Sequence, residues 1–402
     1  MQGAEKKEIY DMKLRKASAV IAALMMTTAA GCSAGVTDKP EMERTLSEKS
    51  FAASDEYVKE IGRTHFADNI LWIAHSAGGA EFEFTGTKAS VVLAGDKNAG
   101  AAWGKDNYAR YAVYVNGERI SDGMMDEPLK TVEIFSSDSE QTTTVRILKL
   151  SECANSIMGI KSIDVTSVGD IEPTADKALQ IEFIGDSITC GYGVDDEVKE
   201  HHFKTDTEDA TKAYAYKTAQ LLDADYSLVS FSGHGIISGY SGDKKIHDDQ
   251  TVPEFYTKVG RSYNQTGSFR VQDIDWCFDS FTPEVVVINL GTNDDSYTAG
   301  DPEKEKAYSD GYAAFLEVVR EKNPDAHILC TLGVMGDRLY DDVEAAVSMY
   351  CEKTGDTRVS AMKFDVQNAA DGYAADWHPT EATHEKAAQK LAEEIRGIIG
   401  QQ

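Results

Sequence analysis

The sequence predicts an α/β protein in two parts: an N-terminal β-sandwich, then a three-layer α/β/α domain around a parallel sheet. Three observations carry this reading. Between residues 70 and 168 apolar and polar residues alternate in short runs with a period of two, and no convincing helix interrupts them. Beyond residue 180 the apolar runs become continuous and are interleaved with helical stretches, the pattern of strands covered on both faces. Between the two, residues 168–178 carry Gly169, Pro173 and several acids and read as a linker.

Within the first part the strand signals are Glu81-Phe82-Glu83-Phe84, Val91-Val92-Leu93, Tyr111-Ala112-Val113-Tyr114-Val115, Val132-Glu133-Ile134 and Thr144-Val145-Arg146-Ile147. Turn chemistry separates them at Thr85-Gly86-Thr87, at Asp96-Lys97-Asn98 and at Asn116-Gly117. Many short strands of this kind suit a small sandwich, placed at residues 61–170. In the second part, residues 171–402, strands are expected at 181–184, 226–231, 284–290 and 327–332, with helices near 209–222, 303–322 and 338–353. A last helix should begin after Pro379, with Thr380 as N-cap, Glu381 in its first turn and Ala387, Leu391, Ile395 and Ile398 on its buried face.

With 402 residues the chain has ample material for a core without staples. Its 40 basic and 68 acidic side chains give a formal charge of −28, which repels phosphate backbones and anionic headgroups. Nucleic acid is therefore not expected as a partner.

The first 32 residues are read as a targeting segment. Lys13, Leu14, Arg15 and Lys16 form a basic stretch, an apolar run follows from Ala17 to Met26, and small residues lead to Cys32. That layout is an export signal, too short for a stable membrane span, with Met12 as the natural start. Ala29-Ala30-Gly31-Cys32 resembles a bacterial lipobox, which implies cleavage before Cys32 and lipid attachment to its sulfur. An ordinary signal peptide with an incidental cysteine is the alternative. Residues 33–60 are polar and read as a tether. The remaining cysteines, Cys153, Cys190, Cys277, Cys330 and Cys351, form no Cys-x-x-Cys pair, so at most one or two bridges are expected. Cys190 is expected to pack as a small apolar side chain beneath the site.

The chemistry is expected at strand ends, where open α/β sheets place ligands. Ile181 to Ile184 lead into Gly185-Asp186-Ser187-Ile188, which makes Ser187 a candidate nucleophile although the Gly-x-Ser-x-Gly elbow is absent. After the second strand comes Ser232-Gly233-His234-Gly235, where a glycine N–H can face a ligand without obstruction. After the third comes Gly291-Thr292-Asn293-Asp294, whose Asn293 amide can donate to a developing oxyanion. Asp376-Trp377-His378-Pro379 precedes the last helix and offers a base. Singly each block is a turn or a cap; jointly they are the parts of an ester-cleaving site.

These four blocks, in this order, resemble the SGNH or GDSL hydrolase superfamily over residues 179–400. Ala80-Glu81-Phe82-Glu83-Phe84-Thr85-Gly86-Thr87, Ile188-Thr189-Cys190-Gly191-Tyr192-Gly193 and Asp376-Trp377-His378-Pro379 are more narrowly similar to carbohydrate esterase family 2. The resemblance implies a jelly-roll domain joined to an SGNH domain that removes acetyl groups from plant polysaccharides such as xylan or glucomannan, with the 6-position of hexoses favoured and no cofactor. It implies Ser187 as nucleophile and His378 as general base. The N–H groups of Ser187 and Gly233 and the Asn293 amide become the oxyanion donors, with Gly235 as the substitute for Gly233.

The superfamily's acid usually stands three residues before the histidine, but that position holds Ala375, and Asp376 is two before. Either the Asp376 carboxylate completes a triad, or a backbone carbonyl near Ala375 or Asp376 fixes the imidazole and leaves a dyad. Tyr192, Tyr240 and Trp377 are candidate platforms for a sugar ring, Tyr240 foremost, with core packing as the alternative. His384 is assigned to packing, and His201-His202 to a solvated loop rather than a metal, since no ligand spacing is diagnostic. A non-catalytic carbohydrate-binding lipoprotein and a lipid or thioester hydrolase remain the rival functions. Hydrolysis of acetyl against long-chain esters separates them.

Overall fold

Phe82 and Phe84 are buried, and so are Ala89, Val91 and Leu93, so the inward positions change from even to odd within one strand. That strand, β5 (Gly79–Gly95), carries a register shift between Gly86 and Lys88 against both neighbours. One extra residue reverses which side chains face inward, and Gly86 is required there because a Cβ would lie 2.2 Å from the Thr166 carbonyl oxygen. Thr85-Gly86-Thr87, expected as a turn, is thus a bulge inside a continuous strand. Likewise the signals at 132–134 and 144–147 belong to one long strand, β8 (Leu129–Lys149). Asn116-Gly117 does form its turn, both residues at positive φ, between β6 (Arg110–Val115) and β7 (Glu118–Met124).

The computed structural model describes residues 45–264 and 266–400. The export segment, Cys32 and residues 33–44 lie outside them. Residues 47–60, the described end of the stretch read from sequence as tether, instead enter the fold: β1 (Ser47–Phe51) pairs with β9 (Met158–Ser167), and β2 (Lys59–Ile61) pairs with β5. With β3 (Thr64–Ala67), β4 (Ile70–Ile73) and β10 (Glu172–Pro173) they complete a ten-stranded antiparallel sheet, whose main path runs β3-β4-β9-β5-β8-β6-β7. Its inward residues, among them Phe82, Val91, Val145, Ile147 and Ile163, form a single apolar core.

The second sheet is parallel, in the order β12-β11-β13-β14-β15. Its strands are β11 (Gln180–Gly185), β12 (Asp225–Ser230), β13 (Val285–Asn289), β14 (His327–Val334) and β15 (Val359–Val366). Helices Pro302–Lys322 and Tyr340–Thr354 cover the face carrying Ile184, Val286 and Ile288. Helices Tyr214–Leu221 and Glu381–Ile399 cover the face carrying Phe183, Val285 and Val287. Thr380 is the N-cap of the last helix by position, but its hydroxyl donates to the Asp371 carbonyl at 2.9 Å instead of capping. The strand order turns back at β11, and the connections from it and its neighbours leave in opposite directions. A crevice opens there at the carboxyl ends of β11, β12 and β13.

The sandwich packs directly on this domain. Ile61, Ala77, Leu148 and Leu150 join the apolar cluster on one face of the parallel sheet, and Ala74, Cys153 and Ile157 join the other. The five described cysteines are all free thiols, three of them buried. Among the described residues no helix is long and apolar enough to cross a membrane.

Candidate active site

β11 ends at Gly185, whose missing Cβ leaves room for Thr189; one there would lie 2.1 Å from its hydroxyl oxygen. The chain then enters a one-turn helix, Ser187–Cys190, with Asp186 as N-cap accepting the Ile188 N–H at 3.0 Å. Ser187 is 6% exposed, and its Oγ lies 2.9 Å from Nε2 of His378. On the far side of the ring, Nδ1 lies 3.2 Å from the carbonyl oxygens of both Ala375 and Asp376. Carbonyls only accept, so Nδ1 carries the hydrogen and Nε2 turns its lone pair to the serine hydroxyl. Burial lowers the His378 pKa to about 4, although the two carbonyls and the nearby Asp376 charge favour protonation, so the ring is neutral at pH 7.

The Asp376 carboxylate does not touch the imidazole. It accepts from the Phe203 N–H at 2.9 Å, the Tyr192 hydroxyl at 3.0 Å and His202 Nδ1 at 3.0 Å. Burial would raise its pKa, but these three donors hold it below the ordinary range. Of the two arrangements left open by the sequence, the triad in which the Asp376 carboxylate meets the imidazole is not formed; the geometry is that of a dyad with backbone carbonyls at Nδ1. The cause is local. Asp376 (φ 50°) and Trp377 (φ 64°) are both left-handed, which turns the carbonyls of 375 and 376 toward the ring and the carboxylate away.

Tyr192 also departs from its expected role. Its ring stacks on His378 at 4.0 Å between centroids and on Phe203 at 4.0 Å, so both faces are covered and none is free for a sugar. It supports the imidazole instead. Tyr240 and Trp377 are 64% and 51% exposed. Trp377 leans on Tyr373, and the Lys199 ammonium stands 4.0 Å over its ring.

Among the described residues the N–H groups of Ser187 and Gly233 have no hydrogen-bond partner. Gly233 has φ 76° and open space where a Cβ would be. Gly235 cannot substitute for it, because its N–H goes to the Gln250 carbonyl at 3.3 Å. Asn293 Nδ2 is 2.8 Å from the His234 carbonyl, while the contact to Asp186 Oδ2 is longer, 3.3 Å. One amide hydrogen is thereby anchored, and the other is weakly held.

Asp294 was legible only as part of a motif, yet it shapes the donor loop: its buried carboxylate accepts from the N–H groups of Ile236, Ile237 and Ser238. Burial still pushes its pKa up to about 6, and burial with the Asp294 charge pushes Asp186 up to about 7. His384 packs as expected, fully buried, with Nδ1 accepting the Tyr214 N–H at 3.2 Å. His201 and His202 lie in a loop, paired with Asp196 and Asp376. Among the described residues one group has metal-ligand types close together: Glu152, Cys190 and Glu208, buried, with one ligand atom each within 4.8 Å. The buried Lys149 amine donates to the Glu152 carbonyl at 2.8 Å, and burial lowers its pKa against the pull of the nearby Glu152 and Glu208 carboxyl groups.

Residues 183–386 match the GDSL-like lipase/acylhydrolase family, and residues 60–174 match the carbohydrate esterase 2 N-terminal domain. The chain is 31% identical over 344 residues to the cellulase/esterase CelE of Acetivibrio thermocellus, covering 84% of this chain but 39% of that protein. It is 26% identical to an acetylxylan esterase / glucomannan deacetylase of Cellvibrio japonicus, over 87% of this chain and 91% of the other. Among solved structures, a family two carbohydrate esterase from Clostridium thermocellum in complex with cellohexaose superposes with a TM-score of 0.73 at 28% identity, covering 85% and 99% of the two chains. An acetyl xylan esterase from the rumen bacterium Butyrivibrio proteoclasticus shares the fold, with a TM-score of 0.77 at 23% identity over 89% and 99%.

Proposed function

Because the chain belongs to the GDSL-like lipase/acylhydrolase family and carries the N-terminal domain of carbohydrate esterase family 2, we propose that it removes O-acetyl groups from plant polysaccharides or their oligosaccharides. The observation that carries this reading is the 2.9 Å contact between Ser187 Oγ and the unprotonated Nε2 of His378. The serine oxygen attacks the acetyl carbonyl as Nε2 takes its proton, and the negative oxygen of the tetrahedral intermediate is met by the Ser187 and Gly233 N–H groups and the Asn293 amide. The imidazolium returns the proton to the sugar oxygen as it leaves. Water, deprotonated by the same imidazole, then releases acetate from the acetyl-serine. Tyr240 and Trp377 supply flat apolar faces for the neighbouring sugar rings.

Acetate release from acetylated xylan and glucomannan tests this. Ser187→Ala and His378→Ala should each lower kcat by about a thousandfold or more without lowering Tm, since hydroxyl and imidazole act as a unit. Activity within tenfold of wild type in either folded variant would sink the assignment. A preference for long-chain over acetyl esters would move it to a lipid hydrolase. Export with lipid attachment at Cys32 is part of the same proposal, and a mature N-terminus other than Cys32, read by mass spectrometry, would refute the anchor.

A further inference from the structure

The donor turn is held from the other domain, and we propose that Glu152, on the loop after β8, is a positioning residue for the oxyanion donors. This rests on the esterase reading above. Glu152 is 2% exposed, and its Oε2 accepts the Ser232 N–H at 2.8 Å, one residue before Gly233. On the other side of the turn, the Tyr240 N–H donates to the Gly233 carbonyl at 2.8 Å. The peptide units on either side of the Ser232–Gly233 bond are thus both pinned, which fixes the direction of the unpaired Gly233 N–H between them. The carbonyl of that same peptide also faces His234 Nδ1 at 3.0 Å, so Glu152 holds the turn together with His234 and Tyr240, and a glycine at φ 76° depends on such contacts to keep one direction. A donor is effective only when it needs no reorganisation as charge develops.

The same carboxylate reaches the nucleophile's element. Oε2 lies 3.9 Å from Sγ of Cys190, the last residue of the one-turn helix that begins at Ser187, and Cys190 Sγ lies 3.2 Å from Ser230 Oγ at the end of β12. Glu152 is itself held at three points. Its N–H donates to Glu208 Oε2 at 2.8 Å, its Oε1 accepts from Asn155 Nδ2 at 3.1 Å, and Lys149 donates to its carbonyl at 2.8 Å. A buried carboxyl group is costly unless hydrogen-bonded; burial raises the Glu152 pKa, and the Ser232 hydrogen bonds with the nearby Lys149 and Arg261 counter the rise.

Three variants with two readouts test the proposal: kcat and KM on a small aryl acetate, and inhibition by an arylboronic acid, whose tetrahedral serine adduct places an anionic oxygen among the donors. Glu152→Gln keeps an acceptor for the Ser232 N–H and should stay within about threefold of wild type, while Glu152→Asp keeps the charge but falls short of that N–H. Glu152→Asp and Glu152→Ala should lose about ten- to a hundredfold in kcat and in boronate affinity alike, with KM little changed; a misdirected donor costs less than a deleted one. Tm measured alongside identifies folded variants; if the alanine variant does not fold, the glutamine and aspartate pair decides. Wild-type kcat and boronate affinity in a folded Glu152→Asp variant, equal damage in Glu152→Gln, or a fall in Tm alone would overturn the proposal. Wild-type protein without Ser187-dependent hydrolysis would overturn the esterase reading and this one with it.

Discussion

Asp376 uses its backbone and its side chain for different ends. Its carbonyl shares the imidazole N–H of His378 with Ala375, while its carboxylate ties down Phe203, Tyr192 and His202. Asp376→Asn therefore keeps the dyad and retains an acceptor for Phe203, losing only a charge that helps the imidazolium at a distance. We expect kcat to fall less than about tenfold, against the roughly ten-thousandfold loss when a true triad aspartate becomes asparagine. Steady-state rates on an acetyl ester measure this, and a loss beyond a thousandfold would show that the carboxylate orients the ring. The sequence reading left this choice open for a physical reason. The identity of residue 376 is visible in a sequence; the sign of its φ is not, and that sign decides which of its oxygens meets the histidine. Tyr192 misled in the same way: an aromatic beside a nucleophile reads as a sugar platform until Phe203, eleven positions on, is seen covering its second face.

At the scale of elements, the turn 375–378 concentrates backbone strain, with non-glycine residues at positive φ at both 376 and 377. A large residue such as Trp377 in that region costs about 1–3 kcal/mol, held in place by the surrounding structure. Trp377→Gly removes that cost and the exposed ring together. Tm should not fall, kcat on a small aryl acetate should stay within a few-fold, and KM for an acetylated oligosaccharide should rise by about tenfold, the loss of one stacking contact. An unchanged KM would remove Trp377 from the substrate surface. Elements were legible where burial is two-sided: all four expected parallel strands are present within a residue or two. β15 escaped because only Val359, Met362 and Phe364 are buried along it while Lys363, Asp365 and Val366 are exposed, so its apolar run is broken, whereas β12, at the opposite edge of the sheet, is buried from Tyr226 to Ser230. β5 was divided because a glycine and two threonines look like a turn, and only pairing with β8 and β9 on both sides makes them a bulge.

At the scale of the whole molecule, sandwich and α/β domain share more than apolar contact, and the partners lie too far apart in sequence for any local pattern to announce them. Arg63, at the entry to β3, is fully buried against the second domain: its guanidinium is 3.1 Å from Glu182 Oε2 on β11 and 2.8 Å from the Lys258 carbonyl. The rings of Tyr256 and Phe278 lie 5.0 and 5.2 Å from its central carbon, and the Tyr256 hydroxyl donates to the other Glu182 oxygen at 2.8 Å. Glu182 is one strand position before Phe183 and five before Ser187, so the pair ties the sandwich to the strand that carries the nucleophile. Removing one member of such a pair leaves an uncompensated charge in the interior, whereas replacing both leaves none. Arg63→Met should therefore lower unfolding stability by about 3–5 kcal/mol, and adding Glu182→Gln should recover much of it. Urea unfolding followed by fluorescence and by circular dichroism measures both, and the wild type is expected to show one coincident transition because sandwich residues such as Ala74, Ile157, Ile61 and Leu148 are built into the apolar clusters on both faces of the parallel sheet. Two separated transitions in the wild type, or no recovery in the double variant, would mean that the domains stand independently and that Arg63 merely fills space.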